Sequence, residues 1–172
     1  MIIFLVGYAG SGKSSMGKRL AQRLGYRFVD TDKAVESSVG ATIADIFYYE
    51  GEEYFRHAER RAIEDIVSAG GDIIVATGGG LPVWQDNMSW MKERGQTIYL
   101  RRDAANILAR LSAYGREKRP MFRGKSDEEL LAFMEEQMKL REPYYMQASM
   151  CVDCSSSSDD ELLNRIVESI KA

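Results

Sequence analysis

The segment Gly7-Tyr-Ala-Gly-Ser-Gly-Lys-Ser14 decides the fold of this chain, because it is a complete phosphate loop of the form G-x-x-x-x-G-K-[ST]. An apolar run at residues 2–6 precedes the loop and predicts a buried strand. Apolar residues then repeat at every fourth position from Met16 to Leu24, and Gly25 predicts the end of a helix. This order of strand, loop and helix is the context in which the motif binds nucleotide phosphates.

Each residue type in the loop has a physical role in phosphate binding. Glycines let successive backbone N–H groups turn toward phosphate oxygens, and the amino terminus of the helix adds its positive end. Lys13 supplies a mobile positive charge for the β- and γ-phosphates, and the Ser14 hydroxyl can bind Mg²⁺. The residues expected to hold the nucleotide are Gly10, Ser11, Gly12, Lys13, Ser14 and Ser15.

Other interpretations of the loop fit less well. A tight glycine turn without a ligand is the plain alternative, but the lysine, strand and helix all stand in the order that a phosphate loop needs. A dinucleotide-binding turn is disfavoured because Ser15 occupies the place of its third glycine. A signalling GTPase needs an N-K-x-D motif, and no asparagine of this chain precedes a lysine.

Short apolar runs alternate with helical patterns along the whole chain, which predicts an α/β fold with a parallel sheet covered on both faces. Ser126-Asp-Glu-Glu129 has the pattern of a capping box and predicts the start of one of the helices. No internal repeat and no Pro- or Gly-rich linker divides the chain. The five strand candidates are residues 2–6, 27–30, 73–77, 97–100 and 150–153.

Length and composition restrict the class of protein. A chain of 172 residues with 45% apolar and 28% charged residues is expected to form one globular domain. Its net charge of −3 argues against a broad surface for nucleic acid or anionic membranes. No apolar run approaches the roughly 20 residues that cross a bilayer, and the first residues lack a signal peptide's basic leader. Two cysteines cannot form a disulfide scaffold, so a reducing cytoplasm is the expected compartment. The protein is expected to act as a monomer.

Asp30 and Asp32 follow the second predicted strand, at the edge where ligands bind in open α/β sheets. The strand at 73–77 runs into Gly78 without an acidic residue, so the acids of the site must come from elsewhere. We expect Asp30 to face the metal, and Asp32 to face the acceptor as hydroxyl-binding group and candidate base. The alternative is that Asp32, or less readily the pair, caps a helix over 33–39.

Glycines and arginines supply the remaining signals. Gly78-Gly-Gly80 can let a ligand approach the backbone closely, although a plain turn is the alternative. Arg141 lies on the apolar stripe of its helix and is expected to point inward, and Arg56 flanks a second stripe. Two arginines that face one pocket predict carboxylate or phosphate recognition, and structural salt bridges are the alternative.

The charged stretch at 114–125 contains Arg119 and two glycines and lies between two helical patterns. A basic loop next to a phosphate site is typical of a mobile lid that excludes water and neutralises charge in the transition state. The sequence therefore predicts a lid over about 112–126. The alternative is a solvated charged loop.

In this order, the motifs resemble those of the shikimate kinase family along nearly the whole chain. The resemblance rests on the phosphate loop, Asp30-Thr-Asp32, Gly51-Glu-Glu-Tyr-Phe-Arg56, Gly78-Gly-Gly80, Arg119-Pro120 and Arg141-Glu-Pro-Tyr144. It implies a three-layer P-loop kinase fold with a five-stranded parallel sheet, one domain over 1–172, and an acceptor-binding segment at about 31–62. It also implies ATP-dependent phosphorylation of the 3-hydroxyl of shikimate to shikimate 3-phosphate, on the route to chorismate and aromatic amino acids.

The resemblance also implies roles for individual residues. Lys13 and the loop amides would hold ATP as cosubstrate, and Ser14 with Asp30 would hold Mg²⁺. The shikimate-binding residues would be Asp32 for the hydroxyls, Arg56 and Arg141 for the carboxylate, and Gly78, Gly79 and Gly80 for the ring. Arg119 would reach the transferring phosphoryl group, and Arg110 would lie beside the adenine. The serines at 155–158 depart from the family, which often has a basic residue there.

Two functional alternatives remain at the level of sequence. One is another small-molecule kinase of the same fold that acts on gluconate or a nucleoside monophosphate. The other is a nucleotide-binding switch that phosphorylates no acceptor.

Overall fold

The computed structural model describes all 172 residues and contains five strands and nine α-helices. The strands are β1 (Ile2–Val6), β2 (Arg27–Asp30), β3 (Ile73–Ala76), β4 (Gln96–Arg101) and β5 (Met150–Asp153). The first helices are α1 (Lys13–Leu24), α2 (Thr31–Val39), α3 (Ile43–Glu50), α4 (Glu52–Ala69) and α5 (Asn87–Arg94). The later helices are α6 (Ala104–Arg110), α7 (Ala113–Glu117), α8 (Asp127–Tyr145) and α9 (Asp159–Lys171).

All five strands are parallel, in the order β2-β3-β1-β4-β5, which confirms the predicted fold class. β1 is the central strand, with Phe4 opposite Val75 of β3 and Thr97 of β4. The carboxyl ends of parallel strands meet at one edge of a sheet. This edge therefore brings together the phosphate loop after β1, the acidic residues after β2 and the three glycines after β3.

The sheet is covered on both faces, because apolar side chains project from it to either side. One cluster packs Phe4, Val75 and Tyr99 against α4, α5, α8 and residues near the phosphate loop. The other packs Leu5 and Ile98 against α1 and α9. A smaller cluster joins α2, α3 and α4 beyond the β2 edge. No helix is both long enough and apolar enough to span a bilayer.

Several local predictions differ from the structure. β3 ends one residue earlier than the predicted strand at 73–77, and β4 extends one residue beyond each end of 97–100. Ser126 caps α8 by accepting from the Glu129 N–H, but the complete capping box is formed at α9 by Ser158 and Glu161. The serine-rich loop thus provides the more complete cap, which the run of four serines did not allow us to assign to one residue.

The predicted functional segments contain regular structure. Residues 31–62 form α2, α3 and the first part of α4. Residues 112–126 contain α7 and a turn of 3₁₀-helix at Pro120–Phe122. Within this stretch Phe122 is buried, because its ring joins the cluster that also contains Tyr8 and Met134. The segment is therefore anchored to the domain through Phe122, while most of its other side chains are exposed.

Candidate active site

The phosphate loop curls around the Lys13 side chain. Gly10 and Gly12 have φ values of 83° and 96°, in the left-handed region that glycine adopts without strain. Lys13 is only 8% exposed, and its Nζ donates to the carbonyl oxygens of Gly7 and Tyr8, each at 2.8 Å. Burial lowers the pKa of Lys13 to about 7, against the opposing effect of the Asp32 charge. The lysine is held over the cradle, at the place where phosphate oxygens bind.

The Asp30 carboxylate has two roles in the structure. Its Oδ2 accepts from the Ser14 hydroxyl at 2.6 Å. Its Oδ1 accepts from the backbone N–H groups of Asp32 and Lys33, at 2.9 and 3.4 Å. The cap of α2 is therefore Asp30, so the alternative that Asp32 caps this helix is wrong. The cap begins at Asp30 because the strand ends there in an extended conformation, one residue before the helix.

Ser14 and Asp30 together fit a magnesium ion that is shared with a nucleotide. Hydroxyl and carboxylate oxygens are ligands that Mg²⁺ prefers, and Mg²⁺ takes its other ligands from phosphates and water. No group of three or more acidic, histidine or cysteine side chains in the chain is arranged to hold a metal. A metal at this site would therefore depend on the phosphates for ligands.

The three glycines after β3 each face a different charged side chain. A Cβ atom at Gly78 would lie 2.6 Å from Glu59 Oε1 and 3.0 Å from Asp32 Oδ1. One at Gly79 would lie 3.3 Å from an Nη atom of Arg141, and one at Gly80 would lie 2.5 Å from Arg56 Nη1. The absence of side chains thus lets the charged groups converge on the backbone.

Arg56 and Glu59 form a buried ion pair on α4. Arg56 is 8% exposed; its Nη1 donates to Glu59 Oε2 at 2.8 Å, and its Nη2 to Glu52 Oε1 at 3.2 Å. The salt-bridge alternative for Arg56 is therefore present, within the pocket beside Gly80. Glu59 is 1% exposed, and its Oε1 has no hydrogen-bond partner. Burial raises the pKa of Glu59 to about 7, although Arg56 opposes the change.

Two tyrosines hold Arg141 over the phosphate loop. The Arg141 guanidinium lies 5.9 Å from the centre of the buried Tyr8 ring, a cation–π distance. The Tyr8 hydroxyl donates to Gln137 of α8. The buried Tyr145 hydroxyl donates to the Gly79 carbonyl at 2.5 Å. Arg141 is half-buried, as expected from its place on the inner stripe of α8.

Asp32 and Arg119 complete the charges near Lys13. Burial raises the pKa of Asp32, the Asp30 charge adds to this effect, and Lys13 and Arg119 oppose it. Burial lowers the pKa of Arg119, while Asp32 and Asp30 act in the opposite direction. The Arg119 Nη1 also donates to the Gly115 carbonyl at 2.8 Å, within the predicted lid. Arg119 of the predicted lid thus lies close enough for its charge to act on Lys13 and Asp32.

A second cleft opens on the other side of the phosphate loop and is called here the base-side cleft. Arg110, which is half-exposed, pairs with Asp159 of α9, with 3.8 Å between its Nη1 and Asp159 Oδ1. Cys154 and Asp159, which flank the serines at 155–158, line this cleft, and Ser158 is occupied as the cap of α9. The residues that line it are Ser11, Gly12, Ser15, Met16, Arg19, Leu100, Arg102, Arg110, Cys154, Asp159 and Leu162.

Sequence analysis missed residues whose signals were weak or ambiguous. Glu59 stands on the apolar stripe of α4 with Phe55 and Ala62, and a charged residue at such a position indicates a buried partner. Tyr8 lies at a variable position of the motif, so nothing marked its ring. Tyr145 gave no signal of its own, because an aromatic residue at a helix end is ordinarily a packing group.

The strand order and the phosphate loop define a P-loop kinase fold, and charged side chains of both signs converge on the glycines of 78–80 beside the loop. The family model for shikimate kinase matches residues 9–171. This chain belongs to the shikimate kinase family.

Individual relatives agree with this membership. The shikimate kinase of Persephonella marina is 38% identical, over 98% of this chain and 98% of its own length. The crystal structure of shikimate kinase from Bacteroides thetaiotaomicron has a TM-score of 0.92 and 30% identity, covering 100% of this chain and 99% of its own. The Acinetobacter baumannii enzyme in complex with shikimate has a TM-score of 0.88 and 31% identity, covering 98% of this chain and 92% of its own.

Proposed function

We propose that this chain transfers the γ-phosphoryl group of ATP to the 3-hydroxyl of shikimate, with ADP and shikimate 3-phosphate as products. The observation that supports this most directly is the convergence of Asp32, Arg56 and Arg141 on the glycines of 78–80. These glycines lie beside the phosphate loop, since Gly79 Cβ would be 3.2 Å from the Ala9 nitrogen. Donor and acceptor would thus meet at one edge of the sheet.

The charges of the pocket suit an acceptor with one carboxylate and several hydroxyls. Arg56 and Arg141 would bind the carboxylate, since guanidinium groups bind carboxylates through paired hydrogen bonds. Asp32 would accept from the hydroxyls and would repel an acceptor whose anion lay beside it. Backbone groups of Gly79 and Gly80 would contact the ring, because no side chain separates them from the pocket.

Asp32 would accept the proton of the attacking hydroxyl or orient it toward the phosphorus. Its pKa is raised by burial, which moves a carboxylate toward the range in which it can act as a base. Phosphoryl transfer depends mainly on positioning and on stabilisation of charge. Lys13 and Arg119, whose charges act on Asp32, would stabilise the negative charge of the transferring group.

ATP would lie with its phosphates in the loop and its adenine in the base-side cleft beside Arg110. The loop amides of residues 10–15 would bind the phosphate oxygens, and Ser14 and Asp30 would hold Mg²⁺. When bound there, Mg²⁺ neutralises charge on the β- and γ-phosphate oxygens. The lid over 112–126 would exclude water from the reaction.

We place this activity in the cytoplasm, since neither Cys151 nor Cys154 forms a disulfide. One chain supplies every residue of the proposed site, so we propose that the monomer is active. Shikimate and ATP are the proposed partners.

An assay of ADP release tests the acceptor directly. Shikimate, gluconate, AMP and CMP are compared at equal concentration with ATP and Mg²⁺, and the Lys13→Ala variant serves as the inactive control. Of the four acceptors, we expect only shikimate to support turnover, and we expect the Lys13→Ala variant to have a turnover rate at least about a hundredfold lower. Turnover with another acceptor and none with shikimate would identify a different kinase. Slow ATP hydrolysis that no acceptor changes would indicate a nucleotide switch.

Substitution of Arg141 tests carboxylate recognition. Arg141→Ala should raise the KM for shikimate about tenfold or more and leave the KM for ATP within about twofold, because a charge-assisted hydrogen bond contributes about 1.5–3 kcal/mol. Lys139→Ala, on the exposed side of the same helix, is the matched control and should change neither constant. Equal losses for both substrates in Arg141→Ala would contradict this role.

A further inference from the structure

Arg102 is a buried cation that none of the proposed catalytic steps uses. It follows β4 directly and precedes α6. Its exposed fraction is 6%, whereas the neighbouring Arg101 has 51% of its side chain exposed and pairs with Glu142 at the surface. A guanidinium is rarely buried without a dense set of acceptors, because an unpaired buried charge costs several kcal/mol. The acceptors around Arg102 therefore indicate why it is there.

The Arg102 guanidinium donates hydrogen bonds to two segments that line the base-side cleft, the phosphate loop and the loop after β5. Its Nε donates to the Ser11 carbonyl of the phosphate loop at 3.0 Å. Its Nη1 donates to the Cys154 carbonyl at 2.8 Å, at the start of the loop that follows β5. The same Nη1 donates to Asn106 Oδ1 at 2.9 Å, and Asp159 Oδ1 lies 3.7 Å from Nη2. One planar group thus joins three separate segments.

Only arginine can make this set of contacts. Its five N–H donors lie in one rigid plane, so bonds from Nε and Nη1 fix the distance between the two carbonyl groups that they reach. A lysine has a single nitrogen at this depth and cannot bridge the carbonyls of Ser11 and Cys154 with the same geometry. Both loops line the cleft in which Arg110 is found.

We propose that Arg102 is a positioning residue for the nucleotide, which fixes the phosphate loop relative to the loop after β5 so that one ligand can contact both. This inference rests on the ATP site of the proposed function. The proposal predicts different effects of Arg102 on the binding of two ligands. ADP extends from the phosphate loop into the base-side cleft and depends on the spacing of the two loops. Inorganic tripolyphosphate contacts only the phosphate loop and does not depend on that spacing.

Calorimetric titration of the free enzyme with ADP and with inorganic tripolyphosphate tests the proposal. In Arg102→Met, the dissociation constant for ADP should rise about tenfold, the loss of about one good hydrogen bond, and that for tripolyphosphate should stay within about twofold. Arg102→Lys should show the same selective loss, since it keeps the charge but lacks the planar donors. Arg101→Met is the matched control, and its affinities for both ligands should equal those of the wild type.

The contrast between the ligands distinguishes positioning from a general loss of structure. Equal weakening of ADP and tripolyphosphate, or unchanged ADP binding in both Arg102 variants, would overturn the proposal. If Arg102→Met fails to fold, Arg102→Lys carries the same test. No titration contains an acceptor, so the outcome is independent of whether shikimate is the substrate, which the turnover of the wild type decides.

Discussion

Glu59 links the charge of the acceptor pocket to pH. Its carboxyl group shares the Arg56 guanidinium that would bind the acceptor carboxylate. Because its pKa is raised to about 7, the group is neutral below that pH and leaves the charge of Arg56 available to an acceptor anion. Above pH 7 the ionised carboxylate competes for the same guanidinium and repels the acceptor.

We therefore expect the affinity for shikimate to fall as the pH rises from 6 to 8. The decrease should be roughly tenfold, which corresponds to a coupling of about one pKa unit. Equilibrium titration of shikimate without nucleotide measures it. Because the pKa of Lys13 is also lowered to about 7, Lys13 titrates in the same range, and the comparison with Glu59→Gln isolates the contribution of Glu59. Glu59→Gln should have the flatter profile. A wild-type affinity that does not change over this range would contradict the competition.

The sequence identified candidate residues that belong to motifs, but it did not identify the residues that pair with them. Lys13, Ser14 and Asp30 could be predicted because the phosphate loop and the end of β2 each have a known geometry. Glu59 could not be assigned, because an acidic residue on an apolar stripe has many possible partners. Its pairing with Arg56 depends on the rotamers that packing against the glycine loop allows.

Two side chains relate the predicted lid at 112–126 to the rest of the site. The Phe122 and Tyr8 rings lie 6.3 Å apart between their centres, which ties the lid to the phosphate loop. Arg119 extends from the same segment toward the charges of Lys13 and Asp32. The segment thus combines an apolar anchor with one inward cation.

Arg119→Ala should lower kcat by about a hundred- to a thousandfold and leave the KM for shikimate within about threefold. An arginine that contacts the transferring phosphoryl group stabilises charge that is present only in the transition state. Steady-state kinetics with both substrates varied measures the two constants. Lys118→Ala, at the exposed neighbouring position, is the control and should be unchanged. A rise in KM with kcat retained would instead make Arg119 a ground-state binding residue.

At the scale of elements, periodicity predicted strands and helices well, and helix ends less well. The helices containing Met16 and Phe55 occur where their apolar stripes predicted them. The α2 cap was harder to assign, because Asp30 and Asp32 are equally suited by type and only the end of β2 decides between them. Ser158 was hidden among four identical residues, any of which could have capped α9.

In the whole molecule, the two faces of the sheet have different relations to the site. The cluster that contains Met134 also contains Tyr8, whose ring lies beside Arg141, and Tyr145, which donates to the Gly79 carbonyl. The cluster that contains Ile166 joins α1 and α9 to the opposite face and includes no proposed acceptor-binding residue. We therefore expect substitutions between the sheet and the helices α1 and α9 to change stability without changing acceptor binding.

Met134→Ala and Ile166→Ala should each lower the free energy of unfolding by about 2–5 kcal/mol, because both side chains are fully buried. Only Met134→Ala should also raise the KM for shikimate, since the cavity lets Tyr8 and Tyr145 relax away from Arg141. Urea denaturation measures the first quantity, and steady-state kinetics at a temperature where both variants are folded measures the second. An equal change of KM in the two variants would show that the faces are coupled.

The alternation of short apolar runs with helical patterns predicted a parallel sheet. The position of each strand within that sheet depends on contacts between residues that are distant in sequence. On one side of β1, Ile2 pairs with Ile73 of β3, and on the other side of β1, Ile3 pairs with Gln96 of β4. No local pattern specifies such neighbours; they follow from how α1 and α4 pack across the two faces. For the same reason, the convergence of Arg56 with Arg141 could be proposed from residue types and was seen only in three dimensions.

The central position of β1 has a consequence for the growing chain on the ribosome. β1 is translated first among the strands, yet its two partners begin at Ile73 and Gln96. At about 5–20 residues per second, the phosphate loop emerges several seconds before any neighbouring strand can pair with β1. During that interval the apolar run Ile2–Val6 has neither of its neighbouring strands to pair with, so the centre of the sheet can form only after β3 and β4 are synthesised.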